Sequence, residues 1–199
     1  MKNLIFDLGG VIIPLDTALV NQTLKRINPE MNTVTLYAPL FLEYELGNIS
    51  SAEFRQGLRE FVNLPALTDE QVDEVWNSLL LPIPIERIHF LQKLSATHKL
   101  FLLSNTNEIH LTKVQQILQT CTGIAVLESL FEKNYYSHIL NMRKPDKEIY
   151  EAVLYDAGIS ATETCFIDDN KANAEAATSV GIKGVWLNLE QETVLDLVF

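Results

Sequence analysis

The sequence predicts an α/β fold, a parallel sheet wrapped by helices, with an all-helical insert after its first strand. Three observations carry this. Short apolar runs at Leu4-Ile5-Phe6, Leu100-Phe101-Leu102-Leu103 and Cys165-Phe166-Ile167 read as strands buried on both faces. Segments of helical periodicity separate them, as the crossovers of a parallel sheet require. From about residue 16 to 80 there is no strand pattern. The expected division is residues 1–15 plus 83–199 for the α/β core and 16–82 for a helical cap.

The first strand ends in Asp7-Leu8-Gly9-Gly10, and Pro14 and Asp16 mark a turn. Leu19, Val20, Leu24 and Ile27 then repeat at helical spacing over 16–28, and a second helical run covers 32–46, stopping at Gly47-Asn48. Ser50 with Glu53, and Thr68 with Gln71, have the spacing of capping boxes and open two further helices. Pro82 and Pro84 link back to the α/β part, and Ile85, Ile88, Leu91 and Leu94 make an amphipathic helix. The second strand, 99–103, runs into Ser104-Asn105, and Asn107 caps the next helix. Residues 122–131 carry no clear pattern beyond a short helix, and 135–137 read as a short third strand. A polar loop, 141–146, opens a helix that stops at Gly158. The fourth strand, 164–167, ends in Asp168-Asp169-Asn170. A helix follows with Gly181 at its end, then a last strand over 183–187 and a short terminal helix.

The chain's 199 residues can bury one core plus a small accessory unit. Its formal charge of -11 argues against nucleic acid or an anionic membrane as partner. No apolar stretch approaches a membrane span, and Met1-Lys2 leads straight into the first strand rather than a signal peptide. With Cys121 and Cys165 as free thiols, Cys165 within a strand, the expected setting is the reducing cytoplasm.

Chemistry concentrates at strand ends. Asp7, Ser104-Asn105 and Asp168-Asp169 each follow an apolar run immediately, so parallel strands bring them out on one edge, where open α/β sheets bind ligands. Taken singly, each has a plain alternative: Asp7, Ser104 and Asn105 as turn residues, Lys144 as a surface lysine, Asp168-Asp169 as an acidic helix start. Three coincident strand ends outweigh these. Three converging carboxylates repel and raise one another's pKa, a cost that a divalent cation removes, and magnesium suits carboxylate and carbonyl oxygens. A spare carboxylate beside a metal and a lysine suits phosphoryl transfer by nucleophilic attack, with Ser104 and backbone N–H groups holding the remaining oxygens. Gly9-Gly10 makes neither a dinucleotide fingerprint nor a phosphate loop, and there is no His-Glu-x-x-His and no cysteine pair at zinc spacing. His89, His98, His110 and His138 show no ligand spacing and are expected mostly on the surface.

Four strings in this order resemble the haloacid dehalogenase-like superfamily of hydrolases: Phe6-Asp7-Leu8-Gly9-Gly10-Val11, Leu103-Ser104-Asn105-Thr106-Asn107, Arg143-Lys144-Pro145 and Phe166-Ile167-Asp168-Asp169-Asn170. Within it they look closest to bacterial phosphatases of sugar 1-phosphates. The resemblance implies a Rossmann-like core of strand order 5-4-1-2-3 with a small helical cap. It implies a magnesium-dependent phosphomonoester hydrolase that passes through an aspartyl-phosphate and acts on a small phosphorylated metabolite, a sugar 1-phosphate among the candidates. By the same resemblance Asp7 is nucleophile and metal ligand, the carbonyl of Gly9 and the carboxylate of Asp169 complete the metal's protein ligands, and Asp168 acts through a water. Asn173 sits near that water, Ser104 and Asn105 bind the phosphoryl group, and Lys144 neutralises it.

One departure matters. Phosphatases of this superfamily usually carry a second aspartate two residues after the nucleophile, to protonate the leaving oxygen and activate water; here that place is Gly9. General acid–base help is worth roughly 10²–10⁴-fold, so Gly9 alone predicts weak turnover of alkyl phosphates and a preference for anomeric, acyl or aryl phosphates. Asp16 is a conceivable substitute. Gly9 also leaves room for a metal-binding, non-catalytic or regulatory relative. A dehalogenase of the same fold is disfavoured by Leu8-Gly9-Gly10 and the acidic pair, and a receiver-like domain by the lateness of that pair. Substrate choice is expected from cap residues such as Phe41, Glu43, Tyr44, Glu45 and Arg55.

Overall fold

The computed structural model of the chain is described for residues 1–30 and 39–199. Strands β1 (Asn3–Phe6), β2 (Lys99–Ser104), β3 (Lys133–Tyr136), β4 (Thr164–Asp168) and β5 (Lys183–Trp186) form one sheet in the order β3-β2-β1-β4-β5, which is 5-4-1-2-3 read from the other edge. Every neighbouring pair is parallel. β1 lies at the centre with all four residues buried, which is why Leu4-Ile5-Phe6 is apolar without alternation.

Among the described residues four helices follow β1: α1 (Ala18–Ile27), α2 (Pro39–Glu45), α3 (Ser51–Phe61) and α4 (Asp69–Asn77). The chain then returns through α5 (Ile85–Ser95) and, after β2, α6 (Glu108–Thr122). After β3 come α7 (Ser137–Leu140) and α8 (Lys147–Ala157), and α9 (Lys171–Ser179) joins β4 to β5. Leu4 and Phe6 pack with Ile88 and Leu91 of α5 and Val114 and Leu118 of α6. Ile5 points the other way, into a cluster with Ile149, Tyr150 and Val153 of α8 and Ala177 of α9. The period-two alternation of strand side chains thus sorts β1 between two helical layers.

Helices α1–α4 close around a separate apolar cluster, in which Phe41 stacks on Trp76 at 5.0 Å and Tyr44 on Phe54 at 4.2 Å. Both expected capping boxes are present. Ser50 Oγ accepts from Glu53 N, Thr68 Oγ1 accepts from Gln71 N, and in each the residue three on returns a bond to the cap backbone. The expected helix over 32–46 is helical over Pro39–Glu45, and residues 32–38 of it lie outside the described residues.

The unreadable stretch 122–131 resolves into three parts. α6 continues to Thr122, Gly123 ends it at φ 75°, and a 3₁₀ turn spans Leu127–Leu130. The third strand starts at Lys133 rather than Tyr135, because pairing with β2 begins at Phe101↔Lys133. Helix α7, at four residues, is too short to leave a periodic pattern in the sequence. The expected terminal helix is a single 3₁₀ turn, Val194–Asp196.

Gly184 of β5 lies where α9 presses on the sheet. A Cβ there would stand 2.0 Å from the carbonyl oxygen of Ala174 and 2.6 Å from Thr178 Oγ1. We therefore expect Gly184→Ala to push α9 off β5 and cost about 1–3 kcal/mol, read as a lower midpoint in denaturant unfolding. An unchanged midpoint would show that the contact yields freely.

Candidate active site

The register sets the site. Phe6 pairs with Leu102 on one side and Ile167 on the other, so Asp7 leaves β1 level with the ends of β2 and β4. The direction of chain crossover reverses across β1, and this switch point opens a crevice at the carboxyl edge. Asp7, Ser104, Asp168 and Asp169 all come out there, as expected.

Lys144 is the hub. It reaches in from the loop before α8, is 1% exposed, and puts Nζ 2.8 Å from Asp7 Oδ1 and 2.7 Å from Asp168 Oδ2. Its third donation goes to the carbonyl of Leu103 at 3.1 Å, so all three ammonium hydrogens are placed. Asn105 holds this residue by the backbone: its Nδ2 donates to Lys144 O and its Oδ1 accepts from Lys144 N, both at 2.9 Å. The Asn105 amide is therefore spent on Lys144, which leaves its backbone N–H as the group available to an anion. Ser104 is buried, and its hydroxyl makes one long contact, 3.5 Å to Asn105 O.

Asp168 is fully enclosed. Besides Lys144 it accepts from Asn170 N at 2.7 Å, and Asn173 Nδ2 reaches both its oxygens at 3.0 Å. The Asn173 side chain is thus turned to the Asp168 carboxylate, and its backbone carbonyl accepts from Tyr150 Oη at 2.9 Å. Asp169 is half-buried, and Trp186 Nε1 donates to its backbone carbonyl at 3.0 Å. Gly10 sits at φ 73°, and a Cβ there would be 2.3 Å from Asp169 Oδ2. The second glycine of the pair is therefore required twice over, by conformation and by the carboxylate against it.

Oxygens of Asp7, Asp168 and Asp169 lie within 4.8 Å of one another. Burial pushes the Asp7 carboxyl up to about 8, with Lys144 opposing and Asp168 adding to the rise. Burial and Asp168 likewise lift Asp169 to about 6. Three carboxylates against one lysine leave the cluster short of positive charge. A hard divalent cation answers that shortfall, and an all-oxygen donor set is the kind magnesium takes. The residues fit the ion.

A cavity of about 510 Å³ opens beside this cluster, between the α1–α4 unit and the sheet edge. Gly9, Ser104 and Asn105 line it, as do Leu15, Trp76, His110 and Glu45. Of the residues expected to select substrate, Glu45 alone reaches it. Phe41 and Tyr44 are buried in the helical unit's own core, Arg55 pairs with Asp73 at 2.8 Å, and Glu43 accepts from Asn48. Asp16 accepts from Ala18 N at 3.0 Å at the start of α1 and does not line the cavity.

Two residues at the site carry no local sequence motif for their role, Arg87 and His110. Arg87 of α5 is buried, and one guanidinium nitrogen donates to the carbonyls of Gly10, Val11 and Ile12 at 2.9–3.3 Å, fixing the loop after Asp7. An arginine on the buried side of an amphipathic helix was the available signal. His110 departs from the surface expectation: it stacks on Trp76 at 4.6 Å in the cavity wall, and burial pushes its pKa down to about 4. No helix among the described residues is long and apolar enough to cross a membrane.

Residues 1–181 match the family model for haloacid dehalogenase-like hydrolases. The chain belongs to that family. It is 26% identical over 187 residues to D-ribitol-5-phosphate phosphatase of Bacteroides thetaiotaomicron, covering 92% of this chain and 90% of the relative. A haloacid dehalogenase-family enzyme from the same organism, solved in complex with magnesium and inorganic phosphate, superimposes with a TM-score of 0.86 at 38% identity, covering 96% of both chains. A predicted family hydrolase from Porphyromonas gingivalis gives 0.83 at 32% identity over 94% of this chain and 90% of that one.

Raised carboxylate pKa values make a pH prediction. From the ordinary value near 3.8 to about 8, the folded cation-free chain holds protons on Asp7 that the unfolded chain has lost. Its stability therefore falls as pH rises through that window. Magnesium binds the deprotonated ligands, so its stabilising effect grows across the same window. We expect the rise in melting temperature on adding magnesium to be larger at pH 8 than at pH 5.5; an equal rise at both would contradict the assignment of these carboxylates as its ligands.

Proposed function

We propose that the chain is a magnesium-dependent phosphatase of a small phosphorylated metabolite, working through a phosphoryl group carried on Asp7. The observation that carries this is the disposition of Asp7. Lys144 Nζ and Leu8 N both contact Oδ1, at 2.8 and 2.7 Å, which leaves Oδ2 to meet phosphorus. Asp7, the Gly9 carbonyl and Asp169 would hold magnesium, with Asp168 one water away, and the ion supplies charge to offset the phosphoryl oxygens. Lys144 neutralises the phosphoryl group and stays held by Asp168 when it does so. The Ser104 hydroxyl and the Asn105 backbone N–H take further phosphoryl oxygens, with the Asn105 side chain positioning Lys144. Asn173 orients Asp168. Helices α1–α4, residues 16–82, act as the cap that walls the cavity and keeps bulk water from the reacting atoms.

The metabolite reading is supported by the size of the cavity and by the D-ribitol-5-phosphate phosphatase relative. A sugar or sugar-alcohol phosphate is the substrate class we favour, a sugar 1-phosphate included. The test is release of inorganic phosphate from a panel of sugar 1-phosphates, sugar-alcohol, acyl, alkyl and aryl phosphates, with magnesium or with chelator. Release should depend on magnesium and fall by more than about 10³-fold in Asp7→Asn, which removes the nucleophile. Release that survives chelation, or that Asp7→Asn retains, would refute the mechanism.

A further inference from the structure

Gly9 leaves the residue two beyond Asp7 without a proton carrier, and the structure shows what surrounds that place. A Cβ at Gly9 would stand 2.8 Å from Leu15 Cδ1, so this corner of the cavity is apolar. Among the described residues lining the cavity, Glu45 is the one carboxylic acid and His110 the other titratable group. Both His110 nitrogens are engaged, Nε2 with the carbonyl of Trp76 at 3.1 Å and Nδ1 with the Asn107 amide at 3.2 Å, in the pattern of one neutral tautomer. That leaves Glu45.

The fold holds Glu45 with unusual care. It ends α2, and the segment it begins is fastened to the residues leading into Lys144. Ser137 Oγ donates to Glu45 O at 2.6 Å. Asn141 Nδ2 donates to Leu46 O at 2.8 Å and Asn48 Oδ1 at 2.7 Å. Gly47, at φ 73°, comes so close that a Cβ would be 2.2 Å from His138 O. Arg143 donates to the Glu45 carboxylate at 3.3 Å. None of these contacts serves the apolar core of α1–α4, which Phe41 and Tyr44 of the same helix already fill. They fix Glu45 in the wall of the cavity that Ser104 and Asn105 also line.

We propose that Glu45 is the proton-transfer residue of this active site, the group that replaces the missing side chain at Gly9. This rests on the phosphatase reading above. In the first half-reaction Asp7 Oδ2 bonds to phosphorus, the bond from phosphorus to the leaving oxygen breaks, and the Glu45 proton passes to that oxygen, releasing an alcohol. In the second, water attacks phosphorus and gives a proton to Glu45. The bond from phosphorus to Asp7 breaks, and inorganic phosphate departs with Asp7 ionised and Glu45 again protonated. Burial lifts the Glu45 carboxyl, while Arg143 and then Lys144, the charges that face it, draw it down. A group so balanced serves in both directions. It follows that Gly9 does not confine the enzyme to activated esters.

The test compares Glu45→Gln and Glu45→Asp with wild type under magnesium, on alkyl phosphates and p-nitrophenyl phosphate. Glu45→Gln should lower kcat on alkyl phosphates by roughly 100-fold or more. With p-nitrophenyl phosphate it should give a one-equivalent burst of nitrophenol followed by slow turnover, because dephosphorylation lacks its base. Glu45→Asp, which keeps the carboxyl, should recover part of the alkyl activity. Wild-type rates and no burst in Glu45→Gln would overturn the proposal, as would equal loss in both variants, the mark of a structural contact. Wild type inert on every ester would overturn the phosphatase reading, and this one with it.

Discussion

A lysine ammonium buried between Asp7 and Asp168, 2.8 and 2.7 Å from their oxygens, is the contact on which the site depends. Carboxylates as enclosed as these cannot stay charged without a partner, and a buried lysine cannot stay charged without them. The surrounding structure is arranged to keep this group in place. Asn105 brackets the Lys144 backbone, Leu103 accepts its third hydrogen, and Asn173 and Asn170 hold Asp168 from behind. The sheet brings these residues together from β1, β2, β4 and the loop before α8, segments far apart in the chain. That is what a parallel sheet with a switch point does well.

The same cluster explains the glycines after Asp7. Gly10 gives way to Asp169 and adopts a backbone that side chains avoid, while Arg87 ties down the carbonyls that follow. Gly9 is different in kind. It is bordered by Leu15 rather than by backbone, so nothing rigid excludes a side chain there. Its absence removes a chemical function, and in the proposal that function passes to the helical unit lying across the cavity. Catalysis and closure would then be coupled, since Glu45 reaches the cavity through the contacts that fasten its segment to the core.

Much of this was legible in the sequence because parallel strands announce themselves. Each of Asp7, Ser104 and Asp168 follows an apolar run, and a carboxylate or hydroxyl there has few structural reasons to exist. Both capping boxes and the Gly158 stop were readable on the same local grounds, while the strand order came from the family resemblance of the four motifs. What escaped was set by tertiary distance. The use of the Asn105 amide on Lys144, the Arg87 clamp and the placing of His110 against Trp76 depend on partners 34 or more positions away, and no local pattern reports them. Glu45 was one of several polar or aromatic cap residues until packing showed that Phe41 and Tyr44 face inward and Arg55 pairs elsewhere.

Transfer of the phosphoryl group to Asp7 can be tested at the residue itself. Wild-type protein would be incubated with magnesium and acetyl phosphate, quenched in acid, reduced with borohydride and mapped by mass spectrometry. An acyl phosphate on Asp7 is reduced to homoserine, so that conversion is expected at residue 7 and at no other carboxylate. Homoserine at Asp168 or Asp169, or phosphate released with no carboxylate reduced at any quench time, would contradict it.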